Sequence, residues 1–494
     1  MATLARSLSP DSPSVAVIVP HKPSAVSVSY QQLHSHVAGF QAKLARLGVS
    51  NGAAVSLALV NSFEFIVSFL ATSWQRAIAA PLNPAYKQEE FEFYIDDLSS
   101  SLVLIPRGSF TQGGPAVQAG RKYNAAIAEC YWDGKEVVLD VKERGKLAGR
   151  GSIGILEAQP DDTALVLHTS GTTGRPKAVP LTHKNLVTTM KNIRDTYQLT
   201  PEDRTYLVMP LFHVHGLLAG FLAPLFSGGS VIANWYTAVP TIHQILLKTP
   251  LPNPIPRIRF IRSCSSPLSP KTFEDLERTF KAPVLEAYAM TEAAHQMTSN
   301  PLPPGKRQPG SVGIGQGVEV KILDQAGEEV PQGREGEICV RGENVTKGYL
   351  NNPAANKSSF TKDGFFRTGD QGKKDRDGYV IITGRIKELI NKGGEKISPI
   401  ELDNTLLSHP QVAEAVCFAI PDEGHYGEDI GAAAVLKSAG SATEADLKAW
   451  VAGKLAKFKT PKQVWIVTQI PKTATGKIQR RKVAEAMLQP KAKL

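Results

Sequence analysis

The chain has 494 residues, 42% hydrophobic and 21% charged, so we expect a globular protein of two or three domains. No apolar run approaches the roughly 18 residues of a membrane span, and the first residues lack the apolar core of a secretory signal. The four cysteines are scattered without C-x-x-C spacing, which argues against a disulfide framework or a zinc site and fits a reducing compartment.

The net charge of +10 is concentrated near the end of the sequence. From Lys454 to Lys493 there are eleven lysines and arginines and one acid, Glu485, so the preceding residues are close to neutral overall. Such a segment forms either a solvated surface or a contact with an anion, such as a nucleotide, coenzyme A, nucleic acid or a membrane. Its aromatic residues are only Phe458 and Trp465, which argues against nucleic acid.

The first 105 residues alternate short apolar strands with helical patterns. The predicted helices are 27–47, 62–74 and 89–97, and the predicted strands include 54–60 and 78–82. This alternation predicts a layered α/β domain with mainly parallel strands. Residues 107–160 are rich in Gly, Lys and Glu, and we expect them to form a surface excursion.

A segment rich in hydroxyls and glycine follows an apolar strand predicted at 163–167. Its members are Thr169, Ser170, Gly171, Thr172, Thr173, Gly174, Arg175, Pro176 and Lys177. Glycine lets backbone N–H groups turn toward a guest, hydroxyls donate hydrogen bonds, and lysine supplies positive charge, which together suit a polyphosphate. The spacing is not that of a Walker A loop, and a polar hairpin turn is the alternative. Beyond it, Thr182 is placed to cap a helix beginning near Lys184.

Two further polar loops follow predicted strands. The strand at 206–209 leads to a corner with His213 and His215, and the strand at 259–261 leads to Ser265 and Ser266. Two histidines without a third ligand nearby argue against a metal. We predict that all four residues line a substrate pocket, with His213 also a candidate for catalysis.

The strand predicted at 284–288 ends in the segment that carries Tyr288, Thr291 and Glu292. Loops at the carboxyl ends of neighbouring strands are where open α/β sheets bind ligands. Tyr288 offers a ring for adenine, Thr291 a hydroxyl for a phosphate, and Glu292 a hard oxygen for Mg²⁺. Further along, Asp370 supplies a carboxylate of the kind that accepts ribose hydroxyls.

A second domain is expected after a boundary near Lys387, giving a large domain at 1–384 and a small one at 385–494. The small domain has predicted helices 399–407 and 442–455 and strands 412–420, 430–436 and 463–467. This pattern indicates an α+β domain of common size. It ends in a Thr-Gly loop that presents Lys477.

The chain resembles the AMP-forming acyl-CoA synthetases, the adenylate-forming ligases that include firefly luciferase and 4-coumarate–CoA ligase. Five segments carry the resemblance, in the family's order: TSGTTGRPKA, YAMTE, RTGD, GRIKELI and PKTATGK. The resemblance covers nearly the whole chain. Within the family it is most similar to peroxisomal and plant oxalate–CoA ligases, in the stretches LNPAYKQEEFEFY, WYTAVPTIHQ, AYAMTEAAHQM, NVTKGY and GGEKISPIELD.

The resemblance implies two half-reactions in one site, with ATP, Mg²⁺ and coenzyme A. A carboxylate attacks the α-phosphate of ATP to give an acyl adenylate, and the thiol of coenzyme A then displaces AMP. By this resemblance residues 169–177 hold the β- and γ-phosphates, Tyr288 flanks adenine and Thr291 contacts the α-phosphate. Glu292 orients Mg²⁺, and Lys477 bridges the carboxylate and the α-phosphate.

The same resemblance assigns roles around the predicted domain boundary. Asp370 binds the ribose hydroxyls and Arg385 the ribose–phosphate side. Lys387 is the hinge about which a mobile small domain turns between the half-reactions. Gly393 and Gly394 leave room for the pantetheine arm of coenzyme A.

One departure from the family pattern is large. Relatives separate the strands at 229–231 and 235–237 by a helical segment, whereas here Ala233 and Asn234 join them directly. Parallel strands need a crossover of about a dozen residues or more, so one strand and one helix are missing. Either the sheet is rearranged or the gene model is imperfect, and a nucleotide-binding pseudoenzyme becomes an alternative function.

Two expectations concern the acid and the location. A small dicarboxylate needs hydrogen-bond donors for its second charge, and His295 with the histidines and serines above predicts such a pocket, with oxalate as substrate. A medium-chain fatty acid or a 4-coumarate-like acid is the alternative, and His295 would then only cap a backbone carbonyl. The terminal Ala492-Lys493-Leu494 is a variant of the S-K-L address, which predicts the peroxisomal matrix and an import receptor as partner, with a cytoplasmic location as the alternative.

Overall fold

A computed structural model gives the structure of the protein and describes residues 3–8, 11–19, 25–169, 175–393, 395–422, 427–472 and 478–489, with the backbone alone for residues 232–234. The chain forms a large N-terminal domain and a small C-terminal domain, with separate sheets and hydrophobic clusters. No helix within the described ranges is long and apolar enough to cross a membrane.

The first part of the large domain alternates strands and helices. In order they are β1 Val15–Val19, β2 Val26–Ser29, α1 Tyr30–Leu47, β3 Ala54–Leu57, α2 Phe63–Trp74, β4 Ile78–Pro81, α3 Gln88–Asp97, β5 Leu102–Ile105, α4 Ser109–Gln112, α5 Pro115–Lys122, β6 Ala126–Trp132 and β7 Val137–Glu143. Serine hydroxyls cap the first two long helices: Ser29 forms a capping box with Gln32, and Ser62 accepts from the Phe65 N–H. The predicted helix at 27–47 therefore begins three residues later, after a short strand.

The second part of the large domain begins with the strand that leads into residues 169–177, the predicted phosphate-binding segment, hereafter the phosphate segment. It contains β8 Thr163–Thr169, β9 Lys177–Thr182, α6 His183–Tyr197, β10 Arg204–Tyr206, a π-helix His215–Leu222, α7 Ala223–Phe226, β11 Ser230–Ala238, α8 Pro240–Lys248, β12 Phe260–Ser263, α9 Pro270–Phe280, β13 Val284–Met290, β14 His295–Ser299, β15 Ile314–Gly315, β16 Glu319–Leu323, β17 Gly336–Arg341, α10 Pro353–Ser359, β18 Phe366–Lys374 and β19 Val380–Arg385. Thr182 caps α6 in a capping box with Asn185, as the sequence predicts.

The small domain contains β20 Ile390–Lys392, β21 Glu395–Ile397, α11 Pro399–Leu407, β22 Val412–Pro421, β23 Glu428–Leu436, α12 Glu444–Ala452, β24 Gln463–Ile466 and α13 Arg480–Leu488. The sheet order is β22-β23-β24, antiparallel and then parallel. This confirms the predicted α+β pattern, and α11 has the predicted bounds.

Two large sheets position the candidate site. One has the order β7-β6-β5-β3-β4-β8-β9 and is parallel in its centre. The other has the order β15-β14-β13-β12-β11-β1-β2, with β10 beside β11. Because β11, β12 and β13 are parallel neighbours, the loops at their carboxyl ends meet at one edge of the sheet. A four-stranded antiparallel sheet, β16-β17-β18-β19, follows.

Residues 107–160 are more than the surface excursion expected. They supply α4, α5 and the antiparallel pair β6–β7, which extends the seven-stranded sheet at its edge. The first residues of β6 are fully buried, while β7 is mostly half-exposed. Strand β7 lies at the edge of the sheet and buries little of its surface, so few of its residues need to be apolar, and the charged residues in and around it hide the strand pattern.

The two strands predicted on either side of Ala233 are a single strand, β11. Its first residues pair with β1 at Val231 and its last residues pair with β12 from Trp235 onward. Strand β10, which lies at 204–206 rather than the predicted 206–209, pairs with both parts, since Arg204 lies opposite Ser230 and Thr205 opposite Trp235. The sheet therefore remains connected across the departure from the family pattern.

Candidate active site

Three of the predicted nucleotide-binding residues lie together. The Tyr288 hydroxyl donates a hydrogen bond to Asp370 Oδ2, and Arg385 Nε lies 3.0 Å from Asp370 Oδ1. Asp370 and Arg385 face each other across the β18–β19 pair, so the register of that pair sets their contact. Burial and the adjacent Asp370 charge raise the pKa of Tyr288 well above its usual value. Each carboxylate oxygen keeps a second lone pair, so Asp370 can still accept ribose hydroxyls.

The phosphate segment is framed by the antiparallel pair β8–β9, in which Thr169 lies opposite Lys177. The predicted members Ser170, Gly171, Thr172, Thr173 and Gly174 lie outside the described residues. Lys177 Nζ lies 4.6 Å from the centroid of the Tyr349 ring. The pairing therefore brings the two ends of the segment together, with the ammonium group of Lys177 at one of these ends.

Helix α3 contacts His168, which directly precedes the phosphate segment, and Arg175, which lies near the end of that segment. The Asp97 carboxylate lies 3.0 Å from His168 Nε2 and 3.8 Å from an Arg175 guanidinium nitrogen. The Arg175 guanidinium also lies over the ring of Phe93, 5.1 Å from its centroid. These contacts were not predictable from the sequence, because helix α3 is far from His168 and Arg175 in the chain.

Glu292 lies in the turn Thr291–Ala293 that follows β13, where Thr291 is half-buried. The Glu292 side chain is buried, and the Tyr349 hydroxyl donates to Glu292 Oε1 at 2.9 Å. Burial raises the pKa of Glu292, and no described cation forms an ion pair with it. Mg²⁺ at phosphate sites is held by one or two carboxylates together with the phosphates, so this carboxylate fits the metal. No group of three or more potential ligands occurs in the described part of the chain.

The histidine corner is shaped by Gly216, where a Cβ atom would lie 2.2 Å from the Pro210 carbonyl oxygen. His213 Nδ1 accepts from the His215 N–H at 3.3 Å. His215 is fully buried, with Nδ1 3.1 Å from Ser265 Oγ and Nε2 2.6 Å from Thr237 Oγ1. Burial and the nearby Arg262 hold the pKa of His215 well below its usual range, so its ring is neutral.

The most consequential residue at this edge is Arg262 on β12, which is fully buried. Its guanidinium donates to Tyr197 Oη at 2.7 Å, to Thr237 Oγ1 at 3.1 Å and to Gln296 Oε1 at 3.4 Å. These acceptors are all uncharged, and no acidic side chain within the described ranges forms an ion pair with Arg262. A buried cation without an anion costs several kcal/mol, so the site has a deficit of one negative charge.

His295 completes this cluster. Its ring stacks on His215 with centroids 5.1 Å apart, and both its ring nitrogens are buried without a hydrogen-bond partner. Burial, with Arg262 and His215 nearby, holds its pKa well below the usual range. The preceding turn is strained, since Ala294 and His295 have φ of 45° and 90°. His295 therefore does not cap a backbone carbonyl among the described residues, which was the alternative, and both of its ring nitrogens are available for a hydrogen bond.

The two predicted serines differ in their contacts. The Ser265 hydroxyl contacts His215, and Ser265 itself has a φ of 73°. The Ser266 hydroxyl donates to the Ser265 carbonyl at 2.8 Å, so its proton is used locally. The structure therefore brings Ser265 into the histidine cluster and turns the Ser266 hydroxyl to its own loop.

Sequence reasoning missed Arg262 and Tyr349. Arg262 lies in the buried strand Phe260–Ser263, and the signal available in the sequence is an arginine that directly follows the apolar pair Phe260 and Ile261 at the end of a predicted strand. Tyr349 has no such signal, because its contacts with Glu292 and Lys177 depend on a fold that joins three distant segments.

The residues near the domain boundary are only partly described. Gly393 has a φ of 60°, and Lys387 lies in the turn Ile386–Glu388 between the two domains. Gly394 and Lys477 lie outside the described residues. Three residues after Lys477 in the sequence, Arg480 bonds to Asp403 at 2.6 Å and lies 3.3 Å from Glu388, so the start of α13 is tied to the boundary segment.

The Tyr288–Asp370–Arg385 cluster, the pair β8–β9 and the buried Glu292 all belong to a large domain that is followed by a small α+β domain, which is the organisation of the adenylate-forming fold. The family model of AMP-binding enzymes matches residues 9–350, and that of the AMP-binding enzyme C-terminal domain matches residues 401–477. The chain therefore belongs to the AMP-binding enzyme family. It is an AMP-forming acyl-CoA synthetase that uses ATP and coenzyme A.

The chain is similar to characterised relatives along most of its length. It is 47% identical over 517 residues to an oxalate–CoA ligase of Saccharomyces cerevisiae, with 96% of this chain and 95% of that protein covered. It is 48% identical over 490 residues to an oxalate–CoA ligase of Arabidopsis thaliana, with 94% of each chain covered. Among solved structures, ATP-bound MatB from Rhodopseudomonas palustris superposes with a TM-score of 0.88 at 31% identity and covers 98% of both chains. The alignment with the yeast protein is longer than this 494-residue chain, so it contains gaps on this side.

Proposed function

We propose that the protein is an oxalate–CoA ligase, which converts oxalate, ATP and coenzyme A into oxalyl-CoA, AMP and diphosphate. The observation that carries the proposal is Arg262, a fully buried guanidinium with no acidic partner among the described residues. The apolar tail of a fatty acid would leave the charge of Arg262 uncompensated, whereas the second carboxylate of oxalate neutralises it. The two relatives named above support the same choice of acid.

The pocket also suits oxalate in its hydrogen bonding. His295 has two buried ring nitrogens without partners, and one of them carries a proton when the ring is neutral. Thr237 accepts a hydrogen bond from Arg262 and contacts His215, which fixes the guanidinium within this cluster. We assign Arg262 and His295 to the carboxylate that does not react, with His213, His215 and Ser265 around it.

In the first half-reaction, we assign to oxalate the attack on the α-phosphorus of ATP, with diphosphate leaving. Attack of one anion on another requires cations near the developing charge, and Lys477 and Lys177 supply positive charge from the protein. Magnesium bound at Glu292 would neutralise charge on the phosphate oxygens. Thr291 contacts the α-phosphate, and Tyr288, Asp370 and Arg385 hold the adenosine.

In the second half-reaction, the sulfur of coenzyme A forms a bond to the oxalyl carbon and AMP leaves. We assign the domain boundary to residue 384, the hinge to Lys387, and space for the pantetheine arm to Gly393 and Gly394. No described atom lies within 4 Å of the position that a Cβ atom would take at Gly393, which supports the assignment of space there, and its positive φ independently favours glycine.

The continuity of β11 argues against a pseudoenzyme. Thr237 lies on this strand, and it bonds both to His215 and to Arg262. The segment that departs from the family pattern therefore still delivers a residue to the pocket.

Diphosphate release with a panel of acids tests the proposal. Oxalate should give a higher kcat/KM than malonate, acetate, octanoate or 4-coumarate. Octanoate or 4-coumarate outperforming oxalate would end the assignment of oxalate and leave the acyl-CoA synthetase class unchanged.

Peroxisomal import is a separate part of the proposal. It is supported by Ala492-Lys493-Leu494, which lies outside the described residues, through its similarity to the S-K-L address. Fusing the last ten residues to a fluorescent protein should direct it to peroxisomes, and removing the last three should return it to the cytosol. A diffuse signal with the intact tail would contradict import.

A further inference from the structure

Residues 344–350 connect two elements that carry residues predicted to bind Mg²⁺ and the phosphates of ATP. On one side, the Thr346 N–H donates to the Glu292 carbonyl at 2.7 Å. On the other side, the Leu350 N–H donates to the Ala178 carbonyl at 2.9 Å, and the Thr346 hydroxyl donates to the Pro180 carbonyl at 2.9 Å. This segment therefore ties the turn with Glu292 to β9, the strand that begins at Lys177.

Tyr349 makes the same connection through its side chain. It is buried, its hydroxyl donates to Glu292 Oε1 at 2.9 Å, and its ring faces Lys177 Nζ at 4.6 Å from the centroid. Its backbone is clamped by Asn356, whose Oδ1 accepts from the Tyr349 N–H at 2.7 Å and whose Nδ2 donates to the Tyr349 carbonyl at 3.0 Å. One rigid side chain thus touches both the carboxylate assigned to the metal and the ammonium assigned to the phosphates.

We propose that Tyr349 is a positioning residue that sets the distance and orientation between Glu292 and Lys177, and so couples metal binding to phosphate binding. The inference rests on the proposed function for the roles of those two residues. The hydroxyl occupies one carboxylate oxygen, which fixes the carboxylate plane and directs the other oxygen toward a cation. The ring face attracts the ammonium and limits its rotamers, so Lys177 is oriented before ATP arrives.

Two substitutions test the hydrogen bond to Glu292 and the ring contact with Lys177 separately. Tyr349→Phe keeps the ring over Lys177 and removes the bond to Glu292. Tyr349→Leu removes both contacts. The matched control is Tyr379→Phe, because the Tyr379 hydroxyl also donates one hydrogen bond, in this case to the Lys306 carbonyl, and the Lys306 ammonium also lies over its ring, at 5.9 Å.

The measurement is ATP affinity by titration calorimetry, once with excess Mg²⁺ and once in EDTA. We expect Tyr349→Phe to weaken binding of MgATP about ten- to a hundredfold, the range for one lost hydrogen bond to a charged group, and to leave metal-free ATP binding unchanged. Tyr349→Leu should weaken both, and the control should change neither.

A loss of equal size with and without Mg²⁺ in Tyr349→Phe would overturn the inference, as would unchanged affinity in both conditions. The phenylalanine variant preserves shape, so the metal half of the test stands even where the leucine variant does not fold. The titration contains no acid, so its outcome is independent of whether oxalate is the substrate. A preference for another acid would refute oxalate as the substrate and would not affect the result of the Tyr349 titration.

Discussion

Replacing Arg262 by methionine should change which acid the enzyme accepts. The side chain is fully buried and bonds to the neutral partners Tyr197, Thr237 and Gln296. Methionine fills a similar volume without charge, so the oxalate carboxylate assigned to this site loses its cation. A guanidinium paired with a carboxylate forms two charge-assisted hydrogen bonds of about 1.5–3 kcal/mol each. In the methionine variant, other donors around the oxalate carboxylate recover a part of this free energy. A net loss of about 3–4 kcal/mol corresponds to a roughly hundred- to thousandfold fall in kcat/KM for oxalate.

The assay compares oxalate with acetate in diphosphate release. Acetate has no second carboxylate, so its kcat/KM should stay within about threefold or rise, because the unpaired buried charge is gone. Arg262→Lys should recover part of the oxalate activity through its charge, without the bidentate fork. The matched control is Arg259→Met, which removes an arginine paired with Asp203 at 2.8 Å and should leave the oxalate-to-acetate ratio unchanged. An equal loss with both acids in Arg262→Met would refute the reasoning, since it would show a structural role only.

Three further predictions follow from the site and its surroundings. His295→Ala should raise KM for oxalate, with kcat/KM falling about ten- to a hundredfold for one lost charge-assisted hydrogen bond, and a larger effect on acetate would contradict the assignment. Lys477→Ala should reduce adenylate formation by orders of magnitude while thioester formation from a supplied acyl adenylate largely survives, and equal losses in the two steps would exclude its role. Burial raises the pKa of Glu286 to about 7 from 4.5, so this group favours folding when protonated and that contribution is lost as pH rises from about 4.5 through 7. Glu286→Gln should therefore stabilise the protein by up to about 3 kcal/mol at pH 8.5 and by less than half of that at pH 5.5, and thermal unfolding with no difference between these pH values would contradict the shift.

The elements of the fold were predictable where local signals agree with the tertiary structure. Thr182 caps α6 because a threonine followed by Asn185 forms a capping box without help from elsewhere. Helix α11 follows Ser398 and Pro399, which are start signals in their own right. The small domain was predictable for the same reason, since its strands and helices are regular and separated by turn residues.

The site was predictable only in part. Neighbouring strand ends predicted that His215 and Ser265 lie together, whereas the contact of Tyr288 with Asp370 joins two different sheets and was not predictable from the strand order. The absence of an acidic partner for Arg262 among the described residues could not be deduced, since it depends on what lies around the strand in three dimensions. Strand β11 is a similar case, because the pairing of its two halves with different neighbours is a property of the whole sheet.

The central claim is that this chain ligates oxalate to coenzyme A, and direct detection of the product tests it. Purified protein is incubated with oxalate, MgATP and coenzyme A, and the thioester and AMP are quantified by mass spectrometry. We predict that oxalyl-CoA and AMP form in equal amounts, and that both disappear in Arg262→Met while acetyl-CoA still forms from acetate. Formation of a thioester from acetate or octanoate, but none from oxalate, with the unaltered protein would contradict the account.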